Sequence, residues 1–318
     1  MAATRVFVTG ATSALGERVV AKLREAGADV AASDAAPSKR ALEGVDVVVH
    51  LARPTMLQSV LDAAGDAAVE GVVVTSSATV YGAWSDNSVP LTEDASLRPN
   101  PGFTFAAEQA EGERVAAEWK DDHPSSAVAV LRLVPVLLPS GETWLSAALA
   151  SPSLVRPADS LPPVQVIHVE DAATAIVHAV LQRLDGTFNV APEGSVNGET
   201  ARALSAAGVP VPLPERLAGV VERLAWRLRV GGAPPAAVPY REHPWVVASD
   251  RLRATGWQPA YSVEEALVAC RKGSWWRELS PKRRQEVALS VAGGVLVTGA
   301  AGVALAVKAA SSRASRRG

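Results

Sequence analysis

The chain has 318 residues, of which 48% are apolar and 20% are charged, and its formal net charge is −2. This composition predicts a soluble globular core, and the near balance of charges argues against a nucleic-acid partner. A single cysteine excludes an intramolecular disulfide and favours a reducing compartment, and the five histidines lack metal-ligand spacing, so we expect no metal site. The N-terminus lacks a signal-peptide pattern, which favours a cytoplasmic globular part.

Short apolar runs alternate with helical patterns along the chain. The predicted strands lie at 6–8, 29–32, 45–49, 71–75 and 127–131, and the predicted helices at 16–26, 57–64, 170–181 and 215–229. Strands of a parallel sheet read as continuous apolar runs because helices cover both faces. We therefore predict an α/β fold with a Rossmann-like doubly wound parallel sheet. The stretch GGAPPAA at 231–237 is predicted to be a surface linker.

The first predicted strand leads into a glycine-containing turn, TGATSALG, at residues 9–16. Gly10 and Gly16 allow a tight turn and a close approach to a pyrophosphate, whose charge would lie at the N-terminus of the next helix. Ser13 lies between these two glycines, where dinucleotide-binding turns usually have a third glycine. Its hydroxyl is available to donate to a phosphate oxygen. The remaining predicted cofactor-binding residues of this turn are Thr9, Thr12, Ala14 and Leu15.

Asp34 follows the second predicted strand, roughly 20 residues beyond the turn. A carboxylate at this place would accept hydrogen bonds from the ribose hydroxyls of adenosine and would repel a 2′-phosphate. We therefore expect NAD as the cofactor, in preference to NADP. The alternative is an ordinary strand–helix turn with a capping residue and a solvated aspartate.

Further short motifs follow in chain order. They are HLA at 50–52, TSSATVYG at 75–82, LRLVP at 131–135, HVED at 168–171 and DRLRATGWQP at 250–259. With the glycine turn, they make residues 4–269 resemble the extended short-chain dehydrogenase/reductases, the NAD-dependent epimerase/dehydratase family. The resemblance implies a small-molecule or nucleotide-sugar ligand, and cofactor contacts from Leu51, Ala52, Thr75, Gln109 and Pro135. We interpret His168 and Asp171 as a buried hydrogen-bonded corner.

One helix departs from the family pattern, at PGFTFAAEQAEGE over residues 101–113. In the family a Tyr exchanges a proton with the substrate oxygen, while a Lys one turn later holds the ribose and lowers the pKa of that Tyr. By the resemblance, Phe105 and Gln109 stand at these two positions, and Ser77 remains at the position of a substrate-orienting Ser. A phenyl ring has no exchangeable proton and an amide has no charge. We therefore expect an NAD-binding protein with a degenerate catalytic pair.

A second hypothesis is that the protein is an active oxidoreductase or nucleotide-sugar epimerase that uses a non-standard proton donor. Its candidates are Tyr81, Glu108 and Glu111, although the two glutamates do not share the helix face of Gln109. A shifted alignment does not restore the catalytic pair, because no tyrosine lies between Tyr81 and Tyr240.

The cofactor domain is also shorter than the resemblance implies. Only residues 35–49 separate Asp34 from His50, too few for the third strand and helix that the family places beside the adenine. We therefore predict an open adenine side. The segment 52–57 is short as well, so the loop that lies over the cofactor in the family would be shorter in this chain.

Residues 287–307 carry no charge and, at about 1.5 Å per residue in a helix, are long enough to cross about 30 Å of hydrocarbon. Trp275, Trp276 and basic residues flank the run, which predicts a membrane anchor for a cytoplasmic globular part. Alternatives are a helix packed on the globular part or an irregular extension. A small-residue stripe that would suit a second copy, hence a homo-oligomer, consists of Gly294, Thr298, Gly302 and Ala306.

The predicted division of the chain has three parts. Residues 1–165 form the dinucleotide-binding domain, residues 166–279 a smaller substrate lobe, and residues 280–318 the hydrophobic tail. The pattern at 215–229 predicts an amphipathic helix that packs on the substrate lobe as a lid, or alternatively lies on a membrane surface.

Overall fold

Buried β-branched strands build a six-stranded parallel sheet in the computed structural model, which describes residues 3–138, 161–204 and 234–270. The sheet has the order β2-β1-β3-β4-β5-β8, and β6 pairs with β7 in a separate two-stranded sheet. The strands are β1 (Arg5–Thr9), β2 (Asp29–Ser33), β3 (Val47–His50), β4 (Gly71–Ser77), β5 (Ala127–Leu133), β6 (Val136–Leu137), β7 (Ile167–His168) and β8 (Gly186–Val190). The predicted doubly wound fold class is confirmed.

Helices cover both faces of the sheet, as the continuous apolar strands require. Val6 and Val8 pack into the core that α1 (Ala14–Glu25) and α4 (Val169–Leu181) cover. Phe7, between them, points to the opposite core, which α2 (Leu57–Asp66) and α3 (Thr104–Asp122) cover. The shorter helices are α5 (Gly198–Leu204), α6 (Pro239–Glu242), α7 (Asp250–Ala254) and α8 (Val263–Ala269).

Most predicted elements lie within two residues of the observed bounds at each end. The predicted helices 16–26, 57–64 and 170–181 correspond to α1, α2 and α4. The predicted helix 215–229 and the predicted anchor 287–307 lie outside the described residues. Within the ranges that are described, no helix is long and apolar enough to cross a membrane. The described residues belong to one compact unit, Met1–Arg271, and the division at residue 165 stays a prediction.

Among the described residues, the sheet ends at β2, and none of them forms a third strand beyond it. Doubly wound dinucleotide folds have the order 3-2-1-4-5-6, in which another strand flanks the second one. Here residues 35–46 hold only a short 3₁₀ turn, Lys39–Leu42, before β3 begins on the other side of β1. The side chains of β2 are accordingly exposed or half-buried. The short segment after Asp34 therefore removes a strand, as predicted.

The chain reverses its winding direction at β1, which pairs with β2 on one side and with β3 on the other. The turns that follow β1 and β3 therefore lie next to each other at the carboxyl ends of the strands. Crevices at such a reversal are where ligands bind to open α/β sheets.

The surface-linker prediction is wrong for Ala237, whereas Pro235 is exposed as predicted. Ala237 is 0% exposed and packs in the same core as Phe103 and Tyr240. Pro235 occupies the first position of a 3₁₀ turn, Pro235–Ala237, where a missing N–H costs nothing. Proline-rich composition indicated a break in regular structure here, but it carried no information about burial.

Asp171 holds the chain that leads into α8. Its carboxylate accepts hydrogen bonds from the backbone N–H groups of Ala260 at 2.8 Å and Tyr261 at 2.9 Å, and the ring of His168 stacks on Tyr261. Asp171 is 2% exposed. The interpretation of His168 and Asp171 as a hydrogen-bonded corner is confirmed.

We expect Asp171→Ala to lower the free energy of unfolding by about 3 kcal/mol, because two backbone donors lose a charged acceptor. Glu264→Ala is the matched control, because Glu264 is an exposed carboxylate in α8 whose removal should cost less than about 0.5 kcal/mol. Urea unfolding followed by circular dichroism measures both. Equal unfolding midpoints for the two variants would contradict the assigned role of Asp171.

Candidate functional site

The turn after β1 is built around two glycines that the structure requires. Gly10 has a φ of +74°, and a Cβ on it would lie 2.8 Å from the backbone N of Ala52. A Cβ on Gly16 would lie 2.3 Å from the carbonyl oxygen of Gly10, so α1 packs directly on the turn. The turn after β1 and the turn after β3 thus touch through backbone atoms, and only glycine fits.

Ser13 caps α1. Its hydroxyl accepts a hydrogen bond from the N–H of Gly16 at 3.0 Å and donates one to the carbonyl oxygen of Gly10 at 2.9 Å. The φ of Ser13 is −69°, so a residue with a side chain takes this position without strain. The sequence makes this hydroxyl available to a phosphate oxygen, but in the structure its proton is donated to the carbonyl of Gly10, because the capping geometry places that carbonyl within reach.

The backbone at the start of α1 still offers donors to an anion. No described residue accepts a hydrogen bond from the N–H groups of Ala14 and Leu15, the first two residues of the helix. Unpaired N–H groups at a helix N-terminus, together with the helix dipole, stabilise phosphate groups. The residues present here therefore fit a pyrophosphate.

Asp34 lies just after β2 and faces this turn. Its carboxylate accepts hydrogen bonds from the hydroxyl of Thr12 at 2.6 Å and from the N–H of Thr12 at 3.2 Å. These bonds, the hydroxyl first, hold the pKa of the exposed Asp34 carboxyl below its usual value, so it is ionised near neutral pH. A carboxylate has about four acceptor positions, which leaves capacity for two ribose hydroxyls.

Thr9, His50 and Thr75 form a buried chain of hydrogen bonds beneath the turn after β3. The Nε2 of His50 lies 3.1 Å from the carbonyl oxygen of Arg53, which only accepts, so Nε2 carries the proton. The Nδ1 of His50 then accepts from the Thr9 hydroxyl at 2.8 Å, and Thr75 donates to the carbonyl of His50 at 3.0 Å. Burial lowers the pKa of His50, which keeps the ring neutral. These side chains support Leu51 from below.

The remaining predicted cofactor residues differ in exposure. Leu51 and Ala52 are half-buried, at the mouth of the crevice. Pro135 is buried, and its carbonyl accepts a hydrogen bond from the N–H of Ile167 at 3.0 Å, which joins β6 to β7. Its side chain can therefore offer a ligand only apolar contact.

The two residues that the sequence resemblance assigns to the family's Tyr and Lys positions lie in the first half of α3, which packs against β4 and the 3₁₀ turn that follows it. Phe105 and Gln109 are half-buried and one turn apart. The ring of Phe105 lies 6.0 Å from that of Phe103, and the side-chain amide of Gln109 makes no hydrogen bond to a described residue. Ser77 is buried, and its hydroxyl accepts from the N–H of Thr79 at 3.3 Å and from the Thr79 hydroxyl at 3.0 Å.

The substitute proton donors are all engaged or exposed. Tyr81 is 1% exposed, donates to the Oδ1 of Asn189 at 2.8 Å and accepts from Arg132 at 2.7 Å. Burial raises the pKa of Tyr81 despite the nearby guanidinium. Glu111 is exposed and bound to Arg114, and Glu108 is exposed.

Sequence reasoning missed the strongest polar contact near this site. Glu113 and Arg132, with side chains 7% exposed, form an ion pair in which a nitrogen and an oxygen lie 2.7 Å apart. The hydroxyl of Ser76 donates to the other oxygen of Glu113 at 2.5 Å. The available signal was spacing, since Glu113 follows Gln109 by four residues and so shares its helix face.

We expect Ser13→Ala to lower the free energy of unfolding by about 1 kcal/mol, because the cap of α1 is lost, and Ser13→Gly to lower it by only a few tenths. The glycine variant is the matched control, since it removes the same hydroxyl but leaves the N–H groups open to water. Urea denaturation measures both. Equal losses in the two variants would show that Ser13 does not act as the cap.

Residues 54–191 match the model of the NAD dependent epimerase/dehydratase family. Curated relatives from Mycobacterium bovis and Mycobacterium tuberculosis, all uncharacterized proteins, are 28% identical over 201 residues, which cover 63% of this chain and 53% of each relative. The chain thus spans about half the length of these relatives.

Solved structures with the same fold are epimerases and dehydratases. UDP-glucose 4-epimerase from Thermus thermophilus, in complex with NAD, is 17% identical with a TM-score of 0.62, covering 84% of this chain and 97% of that one. DesIV, a dTDP-glucose 4,6-dehydratase from Streptomyces venezuelae with NAD bound, is 17% identical with a TM-score of 0.61, covering 86% and 97%.

A Tyr-to-Phe mutant of UDP-glucuronic acid 4-epimerase from Bacillus cereus, in complex with NAD and UDP-4-deoxy-4-fluoro-glucuronic acid, is 14% identical with a TM-score of 0.62, covering 84% and 97%. The sheet order, the glycine turn and the family match point to one conclusion. Residues 54–191 match the NAD dependent epimerase/dehydratase family, and the described fold is that of the solved epimerases and dehydratases.

Proposed function

We propose that this protein binds NAD at the carboxyl ends of β1, β2 and β3 and does not carry out the redox exchange of its active relatives. One observation carries this proposal. The two α3 positions that resemble the catalytic Tyr and Lys hold Phe105 and Gln109, half-buried and one turn apart beside the end of β4. The protein would then act as a binding or scaffold subunit that responds to the dinucleotide.

The turn after β1 supports the binding half of the proposal. Gly10 and Gly16 bring the backbone close, and the N–H groups of Ala14 and Leu15 are available to the pyrophosphate. Further cofactor contacts are proposed from Thr9, Thr12, Ser13, Leu51, Ala52, Thr75, Gln109 and Pro135.

Asp34 supports NAD over NADP. Its ionised carboxylate has free acceptor positions for the 2′- and 3′-hydroxyls of the adenosine ribose. A 2′-phosphate at the same place would bring two anions together and would remove one of the donors. The site would therefore distinguish NAD from NADP by the charge of the Asp34 carboxylate.

The chemical half of the proposal depends on proton exchange. The nicotinamide supplies hydride transfer when bound, and the protein must move a proton at the substrate oxygen. Phe105 has no such proton, Gln109 can only donate or accept hydrogen bonds, and the described hydrogen-bond partner of Ser77 is Thr79, which is not a base. Losing general acid–base catalysis costs roughly 10²- to 10⁴-fold in rate.

A nucleotide sugar is the second ligand that we propose. Structural neighbours were crystallised with UDP-glucose or UDP-glucuronic acid together with NAD. The Tyr-to-Phe mutant of UDP-glucuronic acid 4-epimerase also holds both NAD and a fluorinated nucleotide sugar. Its ligands support the idea that binding survives where a tyrosine hydroxyl is removed.

We expect the unmodified full-length chain to gain thermal stability with NAD, to gain less with NADP, and not to convert UDP-glucose or UDP-glucuronic acid. Phe105→Tyr combined with Gln109→Lys should raise conversion by roughly 10²-fold or more, because it restores a phenol beside a cation. Thermal shift and nucleotide-sugar chromatography measure the two effects.

The single variants Phe105→Tyr and Gln109→Lys are the matched controls, and each should gain less than the pair. Conversion by the unmodified chain would establish an active epimerase with a non-standard proton donor. Absence of a shift with either dinucleotide would contradict the binding half of the proposal.

The uncharged run at 287–307 supports a membrane tether, with its small-residue stripe as a contact for a second copy. We expect the full-length chain to sediment with membranes after a high-salt wash. Val295→Arg with Leu296→Arg should release it, because each arginine at mid-span costs about 2.5–3.5 kcal/mol. Ala309→Arg with Ala310→Arg, beyond the run, is the matched control and should stay membrane-bound. Release of the unmodified protein by salt would contradict the tether.

A further inference from the structure

The absent third strand affects one part of a bound dinucleotide only. If the pyrophosphate lies on the turn after β1 and the ribose on Asp34, the purine base extends past the carboxyl end of β2. In the usual doubly wound order another strand would stand there, but here β2 is the edge of the sheet. Of the part of the chain that the structure describes, the base would therefore meet only the segment that follows β2 and the rim of the turn after β3.

The segment after Asp34 offers little that could recognise a base. Ala35, Ala36 and Ser38 are exposed, and Pro37 is buried. The Ser38 hydroxyl caps the following 3₁₀ turn by accepting from the N–H of Ala41 at 3.4 Å. The side chains of residues 35–38 include no aromatic ring for stacking and no amide or carboxylate that could accept the amino hydrogens of adenine.

The neighbouring side chains do not change this picture. Lys39 and Arg40 are exposed and can only donate hydrogen bonds, so neither can accept from the adenine amino group, and donation to the N3 or N7 that adenine and hypoxanthine share would not distinguish these purines. Leu51 and Ala52 are half-buried on the other side and offer apolar contact, which does not distinguish one purine from another. Recognition by these elements ends at the ribose.

We infer that the site selects a dinucleotide by its pyrophosphate and adenosine ribose and leaves the purine base in solvent, so that dinucleotides with altered purines bind as well as NAD. This inference rests on the proposed NAD-binding function. The ligands of the site would be nicotinamide dinucleotides that carry a purine base and a free 2′-hydroxyl. The hydrogen-bonding groups of the purine would not affect their binding.

Two analogues test the base directly on the full-length chain. Nicotinamide hypoxanthine dinucleotide replaces the adenine amino donor by a carbonyl acceptor, and 1,N6-etheno-NAD blocks that edge with a fluorescent ring. We expect the dissociation constants of both to lie within about threefold of that of NAD, a smaller change than the loss of a base-reading hydrogen bond gives. Bound etheno-NAD should be quenched by acrylamide nearly as strongly as free etheno-NAD.

Asp34→Ala is the matched variant, and it should weaken all three dinucleotides by the same factor, because the ribose contact is common to them. Hypoxanthine dinucleotide binding that is weaker than NAD binding by about tenfold or more, or strong protection of bound etheno-NAD, would overturn the inference while leaving the proposed function intact. If none of the three dinucleotides binds, both the inference and the proposed function fail.

Discussion

The buried ion pair between Glu113 and Arg132 holds α3 against the centre of the sheet. Arg132 lies on β5, Ser76 on β4 donates to the same carboxylate, and Arg132 also donates to Tyr81 and to the carbonyl of Glu93. Removing one member of such a pair typically costs 3–5 kcal/mol, because the other charge stays buried. The rotation of α3 about its axis is fixed by this contact.

That rotation decides what α3 can contribute to the crevice. Phe105, Gln109 and Glu113 are spaced by four residues, so they form one stripe along the helix. Glu113 is bonded to Ser76 of β4 and Arg132 of β5, so the side of α3 that carries this stripe is the side held against the sheet. A proton donor from elsewhere on α3, such as the exposed Glu108, would require the helix to rotate and the ion pair to break.

Binding and chemistry come from different parts of this fold. The groups that would hold a dinucleotide lie on the turns after β1, β2 and β3, whereas the family's acid–base pair lies on α3 and its serine on β4. Different contacts hold the two parts in place. The Ser13 cap and the buried His50 support the binding turns, and the Glu113–Arg132 pair supports α3. The loss of the acid–base pair that we propose would therefore leave the binding turns intact, which is why we propose a binding protein on an enzyme fold.

The sequence predicted the sheet and the edge at β2 well, because continuous runs such as VVVH of β3 and the shortness of residues 35–49 are local properties. It failed where a side chain has several partners within reach. The Ser13 hydroxyl could face a phosphate or Gly10, and only the folded turn decides between them. The spacing of Glu113 from Gln109 indicates a shared helix face, but the partner Arg132 lies on a strand, and burial of Ala237 depends on Phe103 and Tyr240, so no local pattern identifies these partners.

A crystal structure of the full-length chain with NAD tests the central claim most directly. The account predicts the pyrophosphate at the N-terminus of α1, and predicts that the Phe105 ring and the Gln109 amide are the α3 groups facing the nicotinamide ribose. It also predicts no ionisable side chain within about 3.5 Å of a substrate oxygen poised for hydride transfer at the nicotinamide C4. A Tyr, Lys, His, Asp or Glu from any part of the chain at that place would contradict it.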